Sequence, residues 1–176
     1  MNQFYEKLNF KLPEQINFES LKGDLHHQYT GDTYLRYSYI DNSLKFYVKS
    51  LFSNFTDIAP CTIRYVEIIG DTLIAPHKDY GLACAVNYYF KTASAKTVWF
   101  NEKLNAVPTI SNSEKSHVYN YSDLIIADQF VAQDNECYLL NTSQIHSVLK
   151  SNNQQRQFIQ IQYNLDYDII KERVLG

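Results

Sequence analysis

Arg156-Gln157-Phe158-Ile159-Gln160-Ile161-Gln162-Tyr163-Asn164-Leu165 is the stretch on which the fold turns. Ile159, Ile161, Tyr163 and Leu165 alternate there with Arg156, Phe158, Gln160, Gln162 and Asn164. Successive side chains of a strand leave opposite faces. One face is therefore apolar and asks for a covering layer. The other carries an arginine and two glutamines, which suits the interior of a barrel that holds a polar ligand.

Upstream, Cys61 to Ile69, Leu82 to Phe90, Thr97 to Asn101, Val118 to Tyr121, Glu136 to Leu140 and His146 to Lys150 read the same way. These segments are rich in β-branched and aromatic residues and are bounded by Asn, Asp, Ser or Gly. About eight strands in ~110 residues, with few helical windows between them, predict a sandwich or jelly roll. The expected fold is mainly β: a double-stranded β-helix (jelly roll) with N-terminal helices packed on one sheet.

The N-terminal part has a different character. Asp41-Asn42-Ser43 offers side chains that accept from the free amides of a first helical turn. Leu44, Tyr47, Val48, Leu51, Phe52 and Phe55 then recur on one face of a 3.6-residue period. That stripe is fit to cover the apolar face of the last strand. A second helix is expected around Phe18 to His27, interrupted by Gly23. Neither a linker nor an internal repeat stands out. The expected organisation is a single domain over residues 1–176, with helical support over 1–57 and a jelly-roll core over 58–168.

The 176 residues carry a formal net charge of -3 and no basic block, so a large nucleic-acid footprint is disfavoured. No apolar run approaches the ~20 residues that span a bilayer. Met1 to Lys11 has no long apolar core of the signal-peptide kind. Cys61, Cys84 and Cys137 are odd in number and form no CxxC pair, as expected of reduced, buried thiols in a cytoplasmic protein.

Two segments hold the candidate chemistry. The first is Ala75-Pro76-His77-Lys78-Asp79-Tyr80-Gly81; the second is Gln144-Ile145-His146-Ser147-Val148, followed by Arg156. An HxD pair on extended chain puts both side chains on one face, where an imidazole nitrogen and a carboxylate oxygen converge on a metal. A second histidine from another strand completes the two-His-one-carboxylate triad that favours non-haem Fe(II). The HxD pair alone is common by chance. Its combination with His146 and Arg156 weighs more, because the chain has few arginines and an inward guanidinium calls for an anion.

In these pieces and their order, the sequence resembles the Fe(II)- and 2-oxoglutarate-dependent dioxygenase superfamily. Ala83 to Phe90 (ACAVNYYF) is similar to the strand after the HxD loop in prolyl-hydroxylase-like members. Asn141 to Val148 is similar to a segment of aspartyl/asparaginyl hydroxylase-like members. The resemblance covers roughly residues 60 to 165 and departs from many relatives at Gln154 and Gln155, where they carry glycine.

It implies that His77, Asp79 and His146 hold Fe(II), that 2-oxoglutarate chelates the iron, and that its far carboxylate pairs with Arg156. It further implies O2-dependent decarboxylation of 2-oxoglutarate to succinate, coupled to hydroxylation of a C–H bond. Tyr89, Asn87 and Tyr65 are the candidate secondary contacts to 2-oxoglutarate. His26, His27 and His117 are expected at the surface, Asp166 and Asp168 in solvent, and Cys84 and Cys137 in packing.

The substrate is expected to be a peptide side chain or a small amino-acid-like molecule. It would be recognised by residues 92–116, the loop around 122–133 and the N-terminal region. Two other readings stand beside this one: a non-enzymatic jelly-roll binding or structural module, and a cupin-like metalloenzyme without 2-oxoglutarate.

Overall fold

Strand-forming side chains dominate the computed structural model, which describes residues 3–11, 26–30, 33–39, 50, 58–69, 72–79, 81–110, 117–150 and 154–175. In chain order the strands are β1 (Tyr5–Leu8), β2 (His26–Thr30), β3 (Thr33–Tyr39), β4 (Thr62–Ile69), β5 (Thr72–Leu73), β6 (His77–Lys78) and β7 (Cys84–Lys91). There follow β8 (Lys96–Glu102), β9 (Thr109–Ile110), β10 (His117–Val118), β11 (Leu124–Val131), β12 (Cys137–Asn141), β13 (His146–Lys150) and β14 (Arg156–Tyr163). A 3-10 turn, Tyr121–Asp123, precedes β11, and an α-helix, α1 (Tyr167–Leu175), ends the chain.

The strands form two sheets. One has the order β1-β12-β7-β14-β4-β3-β2; the other runs β11-β8-β13-β6-β10-β9, with β5 paired to β13. Eight strands (β4, β6, β7, β8, β11, β12, β13 and β14) interleave between the two sheets as a jelly roll does. The closing strand β14 lies between β4 and β7, antiparallel to both. Its alternation separates two cores. Phe158 joins Val66, Ile68, Tyr89, Tyr138, Leu140 and, from the second sheet, Trp99 in the core between the sheets. Ile159, Ile161 and Tyr163 join Ile63, Val86, Tyr88 and Leu139 in a core on the other face of the first sheet.

Among the described residues, α1 contributes to the cover of that second core, with Tyr167 and Ile170 packed into it. Full burial of a side chain such as Ile170 contributes about 1.5–3 kcal/mol, which fixes the chain end on the sheet. The stripe of Leu44, Tyr47, Val48, Leu51, Phe52 and Phe55 lies outside the described residues.

The expected N-terminal helical support is corrected at three described segments. Tyr5–Leu8, His26–Thr30 and Thr33–Tyr39 are strands that widen the first sheet at both edges. His26 and His27, placed at the end of a helix by the sequence, pair instead with Tyr37 and Arg36 of β3. The reason is local: β-rich HHQYT and TYLRYSY flank Gly31-Asp32, a hairpin dipeptide.

The segment expected as a loop around 122–133 is likewise mostly β11. Its alternation is masked by a bulge between Ile126 and Asp128 and by exposure at the sheet edge. Among the described residues, no helix is long and apolar enough to cross a membrane.

Candidate metal centre

The two-residue strand β6 positions the site. His77 lies directly opposite His146 of β13 in the antiparallel register, so both rings leave the same face and their centroids are 4.5 Å apart. Asp79, two residues on, falls on that face as well, with Oδ1 3.4 Å from His77 Nε2. Lys78, between them, points the other way, donates to Glu102 at 3.1 Å and lies 5.7 Å from the Tyr119 ring. One ligand atom from each of His77, Asp79 and His146 can be chosen so that all lie within 4.8 Å of one another. The three residues predicted from HxD…H are thus brought together.

A single turn organises them. The Thr142 carbonyl accepts from the Asp79 amide at 3.1 Å, and the Gln144 carbonyl meets His146 Nδ1 at 3.0 Å. His77 Nδ1 lies 2.9 Å from the Ala75 carbonyl. A carbonyl can only accept, so each Nδ1 carries a proton and Nε2 is the ring nitrogen turned toward the site. Beyond Asp79 the chain turns at Gly81, whose φ of +72° is strained for a side-chain-bearing residue even though the space around it is open.

For His146 and Asp79 the electrostatics favour the states a metal needs. Burial lowers the His146 pKa to about 4, with the charge of His77 adding to the effect and Asp79 opposing it. For Asp79, burial alone raises the pKa. The His77 hydrogen bond and the charges of His146, His77 and Arg64 together outweigh it and leave the carboxyl below its ordinary value. Neutral imidazole and ionised carboxylate are the ligand forms.

His146 also makes stability depend on pH. Its folded value near 4 lies below the unfolded value of 6.5, so the unfolded chain binds the extra proton between them. Stability is therefore full above pH 6.5 and falls as the pH drops toward 4, by on the order of 3 kcal/mol from this group. Denaturant titrations of the metal-free protein across that range should show the loss, and His146→Gln should flatten it.

Arg156 heads β14 on the face between the sheets and is 1% exposed. Its Nη2 donates to Thr97 Oγ1 at 3.1 Å, and its guanidinium carbon lies 4.6 Å from the Tyr89 ring and 5.6 Å from that of Phe158. Nε and Nη1 have no hydrogen-bond partner among the described residues. Burial pushes the guanidinium below its ordinary pKa, and Tyr89 opposes the shift. Nearby, Asn87 Nδ2 donates to the Tyr89 hydroxyl at 3.2 Å, while Asn87 Oδ1 is buried without a partner among the described residues.

Strand β8 links this pocket to the triad. Thr97 pairs with Val148, and Trp99 pairs with His146. The step from Thr97 to Trp99 is about 7 Å along the strand, so the Arg156 anchor lies one such step deeper than His146. Leaving buried N–H groups unsatisfied costs about 1–3 kcal/mol each. A carboxylate satisfies two at once in the forked geometry of arginine.

Of the secondary candidates, Asn87 and Tyr89 share this inner face, but Tyr65 does not. Tyr65 pairs with Ile159 on the opposite face of the first sheet, stacks on Phe90 and donates to Glu67 at 3.0 Å. The charged β4 residue that faces inward is its neighbour Arg64, paired with Gln160. Sequence reading passed over Arg64, Thr97 and Trp99. For Arg64 the signal was strand parity: it falls on the face opposite Ile63 and Tyr65. His117 is exposed on β10, and Asp166 and Asp168 are exposed as expected. Cys84 and Cys137 are fully buried, Cys61 is exposed, and all three are free thiols.

No family model and no curated protein matches the chain. Solved structures do. The epimerase SnoN in complex with Fe3+, alpha-ketoglutarate and nogalamycin RO superposes with a TM-score of 0.59 at 11% identity, over 93% of this chain and 79% of that one. A second structure of SnoN, a non-haem alpha-ketoglutarate-dependent epimerase from nogalamycin biosynthesis, gives 0.51 at 10% identity, over 81% and 66%. An oxidoreductase of the 2OG-Fe(II) oxygenase family from Burkholderia pseudomallei gives 0.49 at 10%, over 85% and 78%. At these identities the two SnoN structures show a shared fold.

Proposed function

We propose that the chain is a non-haem Fe(II)- and 2-oxoglutarate-dependent oxygenase that oxidises a C–H bond of a small molecule or a peptide side chain. The observation that carries this reading is Arg156, a buried guanidinium in the space between the sheets whose Nε and Nη1 have no hydrogen-bond partner among the described residues. A binding module gains nothing from such a cation, and a metalloenzyme without 2-oxoglutarate leaves it without a counter-ion. The fold shared with SnoN, whose complex contains Fe3+ and alpha-ketoglutarate, supports the same reading.

In this reading His77, Asp79 and His146 hold the iron through Nε2, carboxylate oxygen and Nε2. Three protein ligands leave positions open for the co-substrate. When bound, iron, 2-oxoglutarate and O2 together supply an oxidant for an unactivated C–H bond, and succinate and carbon dioxide are released. Arg156 orients the far carboxylate, and Tyr89 and Phe158 flank the guanidinium and keep water from it. Asn87 and Tyr89, joined by a hydrogen bond, lie on the same inner face as that anchor. Trp99, held by its indole N–H on the Asn141 carbonyl at 3.0 Å, forms the wall beside His146. The burial that renders Cys84 inert, pushing its pKa up to about 12, is compatible with a reducing cytoplasmic setting.

Anaerobic addition of Fe(II) and then 2-oxoglutarate tests this assignment. A weak visible charge-transfer band is expected only when both are present, and its absence removes the oxygenase reading.

A further inference from the structure

His77 is carried by a strand too short to fix its own register. β6 has two residues and meets β13 at one pair, His77 with His146. Its other neighbour, β10, is equally short. The preceding pair along β13 is Leu73 with Leu149, in β5. From Leu73 to His77 the chain takes four steps, whereas from Leu149 to His146 it takes three. One extra residue is therefore accommodated among Ile74, Ala75 and Pro76, and the segment is a bulge. The register matters because the side-chain period of a strand is two. A slip of one residue turns His77 off the inner face and brings Lys78 onto it.

Two hydroxyls close on this bulge. The Ile74 carbonyl accepts from the Tyr121 hydroxyl at 2.9 Å and from Ser147 Oγ, and the two hydroxyl oxygens are 2.7 Å apart. The Ile74 amide donates to the Val148 carbonyl at 3.2 Å. The next two carbonyls are engaged as well. Ala75 meets His77 Nδ1 at 2.9 Å, and Pro76 accepts from the Tyr119 amide at 2.9 Å. Ser147 is fully buried, follows His146 on β13 and lies opposite Val98 of β8. It thus ties the strand that carries one histidine to the segment that leads into the other. Tyr121 comes from the 3-10 turn and stands edge-on to Phe100, with centroids 5.8 Å apart. One donor satisfies a buried carbonyl; two also fix its direction.

We infer that Tyr121 and Ser147 are positioning residues for the metal centre: their hydroxyls hold the bulge at Ile74 and so keep His77 in the register that turns its ring toward Asp79 and His146. This rests on the reading of His77 as a metal ligand, and it adds two residues that act through the backbone. Fixing the Ile74 carbonyl sets the peptide plane that leads to Ala75, whose own carbonyl orients the His77 ring through Nδ1.

The test is Co(II) binding to full-length Tyr121→Phe, Ser147→Ala and the double variant. Affinity is read by competition with a chromophoric chelator, ligand geometry by the absorption bands of bound Co(II), and stability by denaturant unfolding of the metal-free protein. The double variant is expected to bind Co(II) at least about tenfold more weakly, with its bands shifted because the His77 ring is no longer held. Tyr121→Phe should show both effects in smaller measure. It keeps the ring on Phe100, so it decides the matter if the buried Ser147→Ala fails to fold. A pair with a merely structural role lowers the unfolding midpoint and leaves Co(II) affinity and spectrum unchanged, which would overturn the inference. If wild-type protein binds no Co(II), or binds it as tightly after His77→Ala, the reading of the metal centre falls and the positioning role with it. A wild-type site that depends on His77, with every hydroxyl variant equal to it, removes the roles of Tyr121 and Ser147 alone.

Discussion

Arg156→Met should weaken 2-oxoglutarate binding by at least about 30-fold while making the metal-free protein more stable. The two effects have one cause. Arg156 is 1% exposed, donates to Thr97 through Nη2, and has two nitrogens, Nε and Nη1, without a partner among the described residues. Replacing a poorly compensated buried ion with an apolar side chain of similar volume is commonly stabilising, by about 1–4 kcal/mol. Methionine also keeps the contact with Tyr89 and Phe158. With 2-oxoglutarate bound the balance reverses, because removing one partner of a buried, hydrogen-bonded charge pair costs about 2–5 kcal/mol. Titration of 2-oxoglutarate into the Fe(II)-loaded variant gives the first quantity, and denaturant unfolding of the metal-free protein gives the second. A purely structural arginine gives the opposite pattern: lower stability and unchanged affinity.

Asp79→Ala should abolish iron binding at micromolar metal, a loss well beyond the 10–100-fold that follows removal of an outer partner of a ligand. The carboxylate is the triad's only anionic ligand, lying 3.4 Å from His77. Without it two neutral imidazoles face a divalent cation across a partly buried site. The fold should survive, because the hydrogen bond that holds the chain at this position runs from the Asp79 amide to the Thr142 carbonyl. Circular dichroism unchanged from wild type, with no iron retained after desalting, is the expected result. Iron retained at wild-type stoichiometry would place the metal elsewhere.

How far these residues can be read from sequence depends on how local their signal is. The alternation of Arg156 to Leu165 is a property of one strand, and it separated the two cores of β14 correctly. The triad was equally readable, since HxD fixes a shared face within three residues and His146 lies in a strand-like segment. The hairpin of β2 and β3 is absent from the sequence reading although Gly31-Asp32 marks it, because its first strand overlaps the helix expected around Phe18 to His27. Tyr65 and Arg64 show a different limit. Both are polar-tipped and adjacent on β4, and choosing between them needs the register that sets Arg64 against Gln160. That register belongs to a contact 96 residues away in sequence, beyond any local pattern. The helix α1 was overlooked because YDIIKERVL is short and heavily charged, and only the sheet beneath it makes Ile170 a core residue.

A crystal structure of the protein grown with Mn(II), as a stand-in for Fe(II), and 2-oxoglutarate addresses the central claim most directly. One metal should be bound by His77 Nε2, Asp79 and His146 Nε2, with the far carboxylate of 2-oxoglutarate accepting from Arg156 Nε and Nη1. A metal bound elsewhere, or 2-oxoglutarate density that leaves those two nitrogens unpaired, would contradict it.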